Sequence, residues 1–164
     1  MMKKQPNSRM CFACGLENPI GLKMAFYQDE RGRVVAKFTT RDEHQGYPGV
    51  VHGGIVTALL DEVLGRVAIA AERWVVTGRL NIRFRRPIPV GETLTIVGET
   101  VVWKKRTLEA RGEIRLADGH VGAEATGTFV EIPSEQIEGI EEALDFWQVV
   151  PDRPVNGQVL DDAG

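Results

Sequence analysis

Val51-His52-Gly53-Gly54-Ile55-Val56-Thr57-Ala58-Leu59-Leu60-Asp61-Glu62-Val63-Leu64-Gly65 reads as a tight glycine turn feeding an apolar helix with acid inside it. At about 100° per residue, Gly54, Thr57, Ala58, Asp61, Gly65 and Ala68 share one face, and Val56, Leu59, Leu60, Val63 and Val67 share the opposite one. The bulky face needs a core to pack into. The small face permits close approach by another backbone or by a ligand. Asp61, a carboxylate among small apolar neighbours, has no evident structural reason to be there.

On both sides of this helix the pattern is that of strands. Upstream, residues 22–28 and 33–40 flank Asp29-Glu30-Arg31-Gly32 and read as a hairpin. Residues 41–51, rich in glycine and charge with a turn at Tyr47-Pro48-Gly49, read as a loop delivering the chain to the helix. Downstream, Leu80, Ile82 and Phe84 alternate with Arg79, Asn81, Arg83 and Arg85, the period of two expected of a sheet with one buried face. Residues 93–103, 107–116 and 121–132 follow as an antiparallel meander, joined by Lys104-Lys105-Arg106 and by the Asp-Gly turn at Asp118. One apolar helix among so many strands implies an α+β fold, an antiparallel sheet wrapped around one long central helix. The chain then divides into a lead-in (1–21), this domain (22–132) and an acidic tail (133–164). In the tail, Ser134 is placed to cap an amphipathic helix carrying Ile137, Ile140, Leu144 and Trp147, while 151–164 lacks periodicity and reads as mobile.

Composition bounds the rest. The 164 residues are 43% hydrophobic and 26% charged, as in a globular protein with one core. No apolar run approaches the roughly 20 residues that span a bilayer. Met1-Met2-Lys3-Lys4-Gln5-Pro6 has no apolar segment behind its lysines, so a cytoplasmic protein without membrane contact is expected. Before Pro133 there are 19 Lys/Arg and 15 Asp/Glu, and from it onward 1 and 8. The body is therefore mildly basic, too weakly for nucleic acid, but in keeping with a small polyanionic ligand. Cys11-Phe12-Ala13-Cys14 is a lone C-x-x-C. Zinc takes four ligands, and His44, His52 and His120 stand at spacings unlike any common zinc module. A redox pair would sit beside a strand–helix unit, which this segment does not resemble. Structural thiols and no metal are the expectation.

The element order, His52-Gly53-Gly54, and Asp61 seven residues beyond Gly54 together resemble the hotdog-fold thioesterases. The likeness is to the acyl-CoA thioesterase superfamily, which includes phenylacetate-pathway enzymes and the mammalian thioesterase superfamily members. Cys11-Phe12-Ala13-Cys14-Gly15-Leu16-Glu17-Asn18-Pro19-Ile20-Gly21-Leu22 is similar to the lead-in of one branch, and Arg86-Pro87 followed by Gly91 fits the same pattern. The resemblance covers roughly residues 11 to 132. It implies hydrolysis of a CoA thioester to free acid and CoA, with no cofactor because CoA is part of the substrate. It also implies a homodimer, or a dimer of dimers, with sites at the interface. The Gly54 N–H would be the oxyanion donor, Gly53 would allow the carbonyl to come close, and His52 would lie at the thioester. Asp61 would be general base or nucleophile, and Thr77 would position water.

Physical chemistry gives these roles content. A helix N-terminus presents unpaired N–H groups and partial positive charge, and an oxyanion donor is worth about 2.7–4 kcal/mol. Asp61 lies about 10 Å further along the axis at about 1.5 Å per residue, too far to share one carbonyl within a subunit. Two copies with antiparallel helices would bring Asp61 of one to the glycine turn of the other. Glu62, about 100° away and four residues before Arg66, reads instead as half of an intrahelical ion pair. The glycines also suit a plain tight turn, His52 a loop contact, and Thr77 an ordinary strand position. Arg83, Arg85 and Arg86 form one basic cluster and Lys104-Lys105-Arg106 another. The first is the better receiver for the CoA phosphates, and a solvated face accounts for both nearly as well. Two rival functions stand beside hydrolysis. The loop His44-Gln45-Gly46-Tyr47-Pro48-Gly49 is similar to the His loop of acyl-carrier-protein dehydratases, although His52-Gly53 stands where those enzymes tend to have Pro-Gly. A non-catalytic acyl-CoA binder would not need Asp61.

Overall fold

The computed structural model describes residues 1–144 and 146–152. Its elements are β1 (Lys3–Lys4), β2 (Asn7–Ser8), β3 (Tyr27–Gln28), β4 (Val34–Thr39), a 3-10 turn (Asp42–His44), α1 (Gly53–Ala70), β5 (Val75–Phe84), β6 (Thr93–Trp103), β7 (Thr107–Arg115), β8 (Val121–Glu131), α2 (Ser134–Leu144) and β9 (Trp147–Gln148). Seven strands form an antiparallel sheet in the order β1-β3-β4-β6-β7-β8-β5. The sheet curls round α1, the hotdog arrangement.

The bulky face of α1 supplies the core. Val56, Leu59, Leu60, Val63, Leu64 and Val67 are all buried against Leu94, Ile96, Leu108, Ala110, Ile114 and Phe129 of the sheet. Each such side chain contributes about 1.5–3 kcal/mol by leaving water. The helix lies close because β6 and β7 pair Gly98 with Gly112 beneath it. A Cβ on Gly98 would come within 2.9 Å of Val63 Cγ1, and one on Gly112 within 3.0 Å of Leu64 Cδ2. Ala68, placed by its spacing on the small face, is fully buried. The small face is open only over its first three turns.

The hairpin before α1 forms, but its first strand is confined to Tyr27–Gln28. Upstream of it, Leu22 and Met24 bond to Phe12 and Ala13 of the lead-in instead of to a strand partner. The tail helix also forms, and Trp147 is not on it. Trp147 lies in β9, which pairs with β2 and sets the indole over the Arg66 guanidinium at 4.9 Å. Of the stretch expected to be mobile, Pro151 and Asp152 are described, with Asp152 accepting from Lys4 Nζ at 2.6 Å; residues 153–164 lie outside the described residues.

Strand β5 departs from the simple alternation. Leu80 and Ile82 turn inward as the pattern requires, but Phe84 at the strand end is 56% exposed. The strand is an edge, with one neighbour only. A bulge at Gly78 breaks its register: Thr77 faces Phe129, and the next paired residue, Arg79, faces Thr128. The extra residue reverses the parity of the strand. Without it, Thr77 and Leu80 could not both point toward the helix.

Candidate active site

The helix start is built by its loop. His52 is extended (φ −60°, ψ 136°) and its Nδ1 accepts the N–H of Gly54 at 2.8 Å, so the imidazole is the N-cap. Its own N–H donates to the carbonyl of His44 at 2.8 Å. The imidazole therefore holds the donor that the resemblance assigns to the oxyanion. The N–H of Gly53, the first residue of the helix, has no hydrogen-bond partner among the described residues. His52, Gly53 and Gly54 are all exposed, with Phe84 beside Gly53.

Two turns along, Asp61 meets β5. Thr77 Oγ1 donates to Asp61 Oδ1 at 2.7 Å. This contact exists because the Gly78 bulge turns Thr77 toward the helix. It fixes one carboxylate oxygen and leaves the other open on the half-buried small face, where Thr57 and Ala58 keep bulk low. The helix start and the carboxylate thus stand at separate places along the same face.

Neighbouring polar groups have other tasks. Glu62 accepts from Arg66 Nε at 2.9 Å, the expected i,i+4 pair. Arg66 is 3% exposed, stacks on Phe26 at 4.4 Å and donates to the Pro6 carbonyl at 2.6 Å. His44 is 5% exposed, tilts against Phe38 and accepts the Arg41 N–H on Nδ1 at 3.0 Å. Burial, then the nearby Arg41 charge, hold its pKa below the ordinary histidine range. The ring so held braces the loop.

The basic cluster is not gathered at this face. Arg83 pairs in register with Glu124 on the outer side of the sheet, and the Arg85 guanidinium is tied to the Glu124 carboxylate. Arg86 follows in the loop, its N–H bonded to Gly122. A concavity of about 790 Å³ lies on that outer side, lined by Arg33, Arg83, Glu99, Arg111 and Arg115 among others. It is on the far side of the sheet from Asp61 and is laced by the Arg111–Glu99 and Arg115–Glu113 pairs.

The sheet, its helix and this face define a hotdog domain with one carboxylate and one polarised helix start. Comparison with known proteins agrees. A family model described as the thioesterase superfamily matches residues 48–123. The acyl-coenzyme A thioesterase THEM4 of Bos taurus is 31% identical over 76% of this chain and 52% of its own. The crystal structure of a thioesterase superfamily protein superposes with a TM-score of 0.71 at 34% identity, over 74% of this chain and 63% of that one. A Streptococcus mutans protein solved bound to acetyl CoA superposes with a TM-score of 0.63 at 26% identity, over 66% of this chain and 88% of that one. The chain belongs to the thioesterase superfamily. It spans about half the length of the curated relatives it matches.

Proposed function

We propose that this chain hydrolyses acyl-coenzyme A thioesters, with Asp61 as the reacting carboxylate. The observation that carries the reading is the 2.7 Å hydrogen bond from Thr77 to Asp61. It joins two residues from different elements, on the face that also holds the glycine turn. Thr77 fixes the carboxylate through one oxygen and keeps it in contact with solvent. The other oxygen can take a proton from water, or attack the carbonyl itself to form a mixed anhydride. The carbonyl oxygen needs donors, and the helix start of a second copy provides them. Gly53 N–H is open at once, and Gly54 N–H becomes available when the His52 ring turns away. Hydrolysis by this route uses no cofactor.

The second copy is supported by β5. Ten residues long, it is exposed along most of its length with Val76 and Phe84 uncovered, and such an edge invites strand pairing. Pairing β5 with its own copy would extend the sheet and bring the two α1 helices alongside; a dimer of dimers would use further surface. The name of the bovine relative and the acetyl CoA bound by the streptococcal protein favour a CoA thioester as substrate. Arg86, in the loop after β5, is the member of the basic cluster offered to its phosphates. No helix among the described residues is long and apolar enough to cross a membrane, and the two unbridged cysteines favour a reducing compartment such as the cytoplasm.

Asp61→Asn tests the reading. Hydrolysis of acyl-CoA should fall by about 10²–10⁴, the contribution of a positioned acid or base, with thermal stability and CoA-thioester binding retained. Unchanged turnover would remove Asp61 from the mechanism.

A further inference from the structure

One cluster of donors has no part in hydrolysis. The turn Cys11-Phe12-Ala13-Cys14-Gly15 is closed by Gly15 N–H on the Cys11 carbonyl at 2.8 Å, and the Cys14 N–H points at Cys11 Sγ from 3.5 Å. A Cβ on Gly15 would sit 2.3 Å from the Cys11 carbonyl oxygen, so the turn needs a residue without one. The two sulfurs face α1, where Glu62 supplies a third donor. A Glu62 carboxylate oxygen, Cys11 Sγ and Cys14 Sγ all lie within 4.8 Å of one another. Ligands of one zinc ion, bound at about 2.3 Å for sulfur and 2.0–2.2 Å for oxygen, stand about 3.5–4 Å apart.

The surroundings suit bound thiolates. Ser8 Oγ lies 3.3 Å from Cys14 Sγ and accepts the Cys11 N–H at 3.2 Å. Arg66 holds the other side of Glu62, and its Nη2 has no hydrogen-bond partner among the described residues. Such contacts orient ligands from behind. Two thiolates and one carboxylate are balanced in charge by a divalent ion together with the Arg66 guanidinium. β9 pairs with the strand behind the group, Trp147 in register with Ser8.

The geometry points to a site for a thiophilic divalent cation of the zinc class, held by Cys11 Sγ, Cys14 Sγ and the Glu62 carboxylate, with a water molecule as the fourth ligand. Binding releases the thiol protons to solvent and moves no electrons. The ion fastens the lead-in to α1 one residue past Asp61. The sequence alone could not offer this site, because its third ligand lies on another element and is already accounted for by Arg66.

The test uses the full chain, reduced and freed of metal by a chelator, titrated with cobalt(II) and then zinc(II). The expected result is a thiolate-to-cobalt charge-transfer band with strong visible bands, saturating at one ion per chain and bleached by zinc. Zinc should raise the thermal midpoint. Cys11→Ser, at a half-buried position that tolerates the change, should abolish the charge-transfer band. Glu62→Gln should weaken cobalt binding by at least the roughly 10-fold that loss of an outer-shell partner costs. Three results would each overturn the site: no charge-transfer band while both thiols titrate as free, a band indifferent to Glu62→Gln, or a Cys11–Cys14 disulfide that persists in reductant and excludes the metal.

Discussion

Asp61 and Glu62 are adjacent carboxylates on one helix, and the protein treats them in opposite ways. Glu62 turns toward the lead-in, takes the charge of a buried arginine and stands beside two sulfurs. Asp61 turns toward the edge strand, takes one neutral hydrogen bond from Thr77, and has no cation paired with it among the described residues. A step of about 100° round the axis separates an acid held by a buried cation from one held by a single hydroxyl. What distinguishes the two carboxylates is what the neighbouring element offers each. β5 offers a hydroxyl and open space, whereas the lead-in offers a closed cluster.

The contrast can be broken from either side. The largest effect belongs to Asp61→Asn: hydrolysis drops by about 10²–10⁴ while the melting temperature stays near that of the parent. Arg66→Met should do the reverse. It leaves Glu62 without its buried partner and costs about 3 kcal/mol, read in urea unfolding, while turnover per folded molecule is kept. If Arg66→Met abolished turnover in folded protein, the two regions would not be separate.

Smaller changes sharpen the picture. Thr77→Ala should lower kcat on the order of ten-fold, the equivalent of about 1.4 kcal/mol, with KM little changed, because the hydroxyl acts through Asp61. Thr77→Ser should restore the rate. The smallest effect is one of pH. His44 resists protonation in the folded loop because it is buried beside Arg41, whereas the unfolded chain takes up a proton near the ordinary value of about 6.5. Unfolded chains then bind more protons, so stability is full above about pH 6.5 and falls as the pH drops below it. Thermal midpoints between about pH 8 and pH 5 should show an acid loss that His44→Gln flattens.

Much of this was legible in the residues. The spacing of Leu59, Leu60 and Val63 against Gly54 and Asp61 describes a helix buried on one face, and the three strands from Thr93 onward hold to within a residue of the bounds read from the sequence. What the sequence hid were parity and distance. The Gly78 bulge reverses β5, so alternation read from Leu80 back puts Thr77 on the wrong face; only the glycine itself signals it. Trp147 has helical spacing from Ile140 and Leu144 but pairs with Ser8, a contact that local periodicity cannot report. Nor could the sequence show that His52 is the cap on the Gly54 N–H. That detail moves the first open donor from Gly54 to Gly53.

If each site needs Asp61 from one copy and the helix start of another, mixing two inactive chains should restore activity. One chain carries Asp61→Asn. The other carries Gly53→Pro, which deletes the donor at a first helical position where proline is well tolerated, after a His52 already extended as a residue before proline must be. If the chains are unfolded together and refolded at equal amounts, half the dimers are hybrids with one intact site, and about a quarter of wild-type activity should return. Hybrid dimers that form and stay inactive would show that each site is completed within one chain.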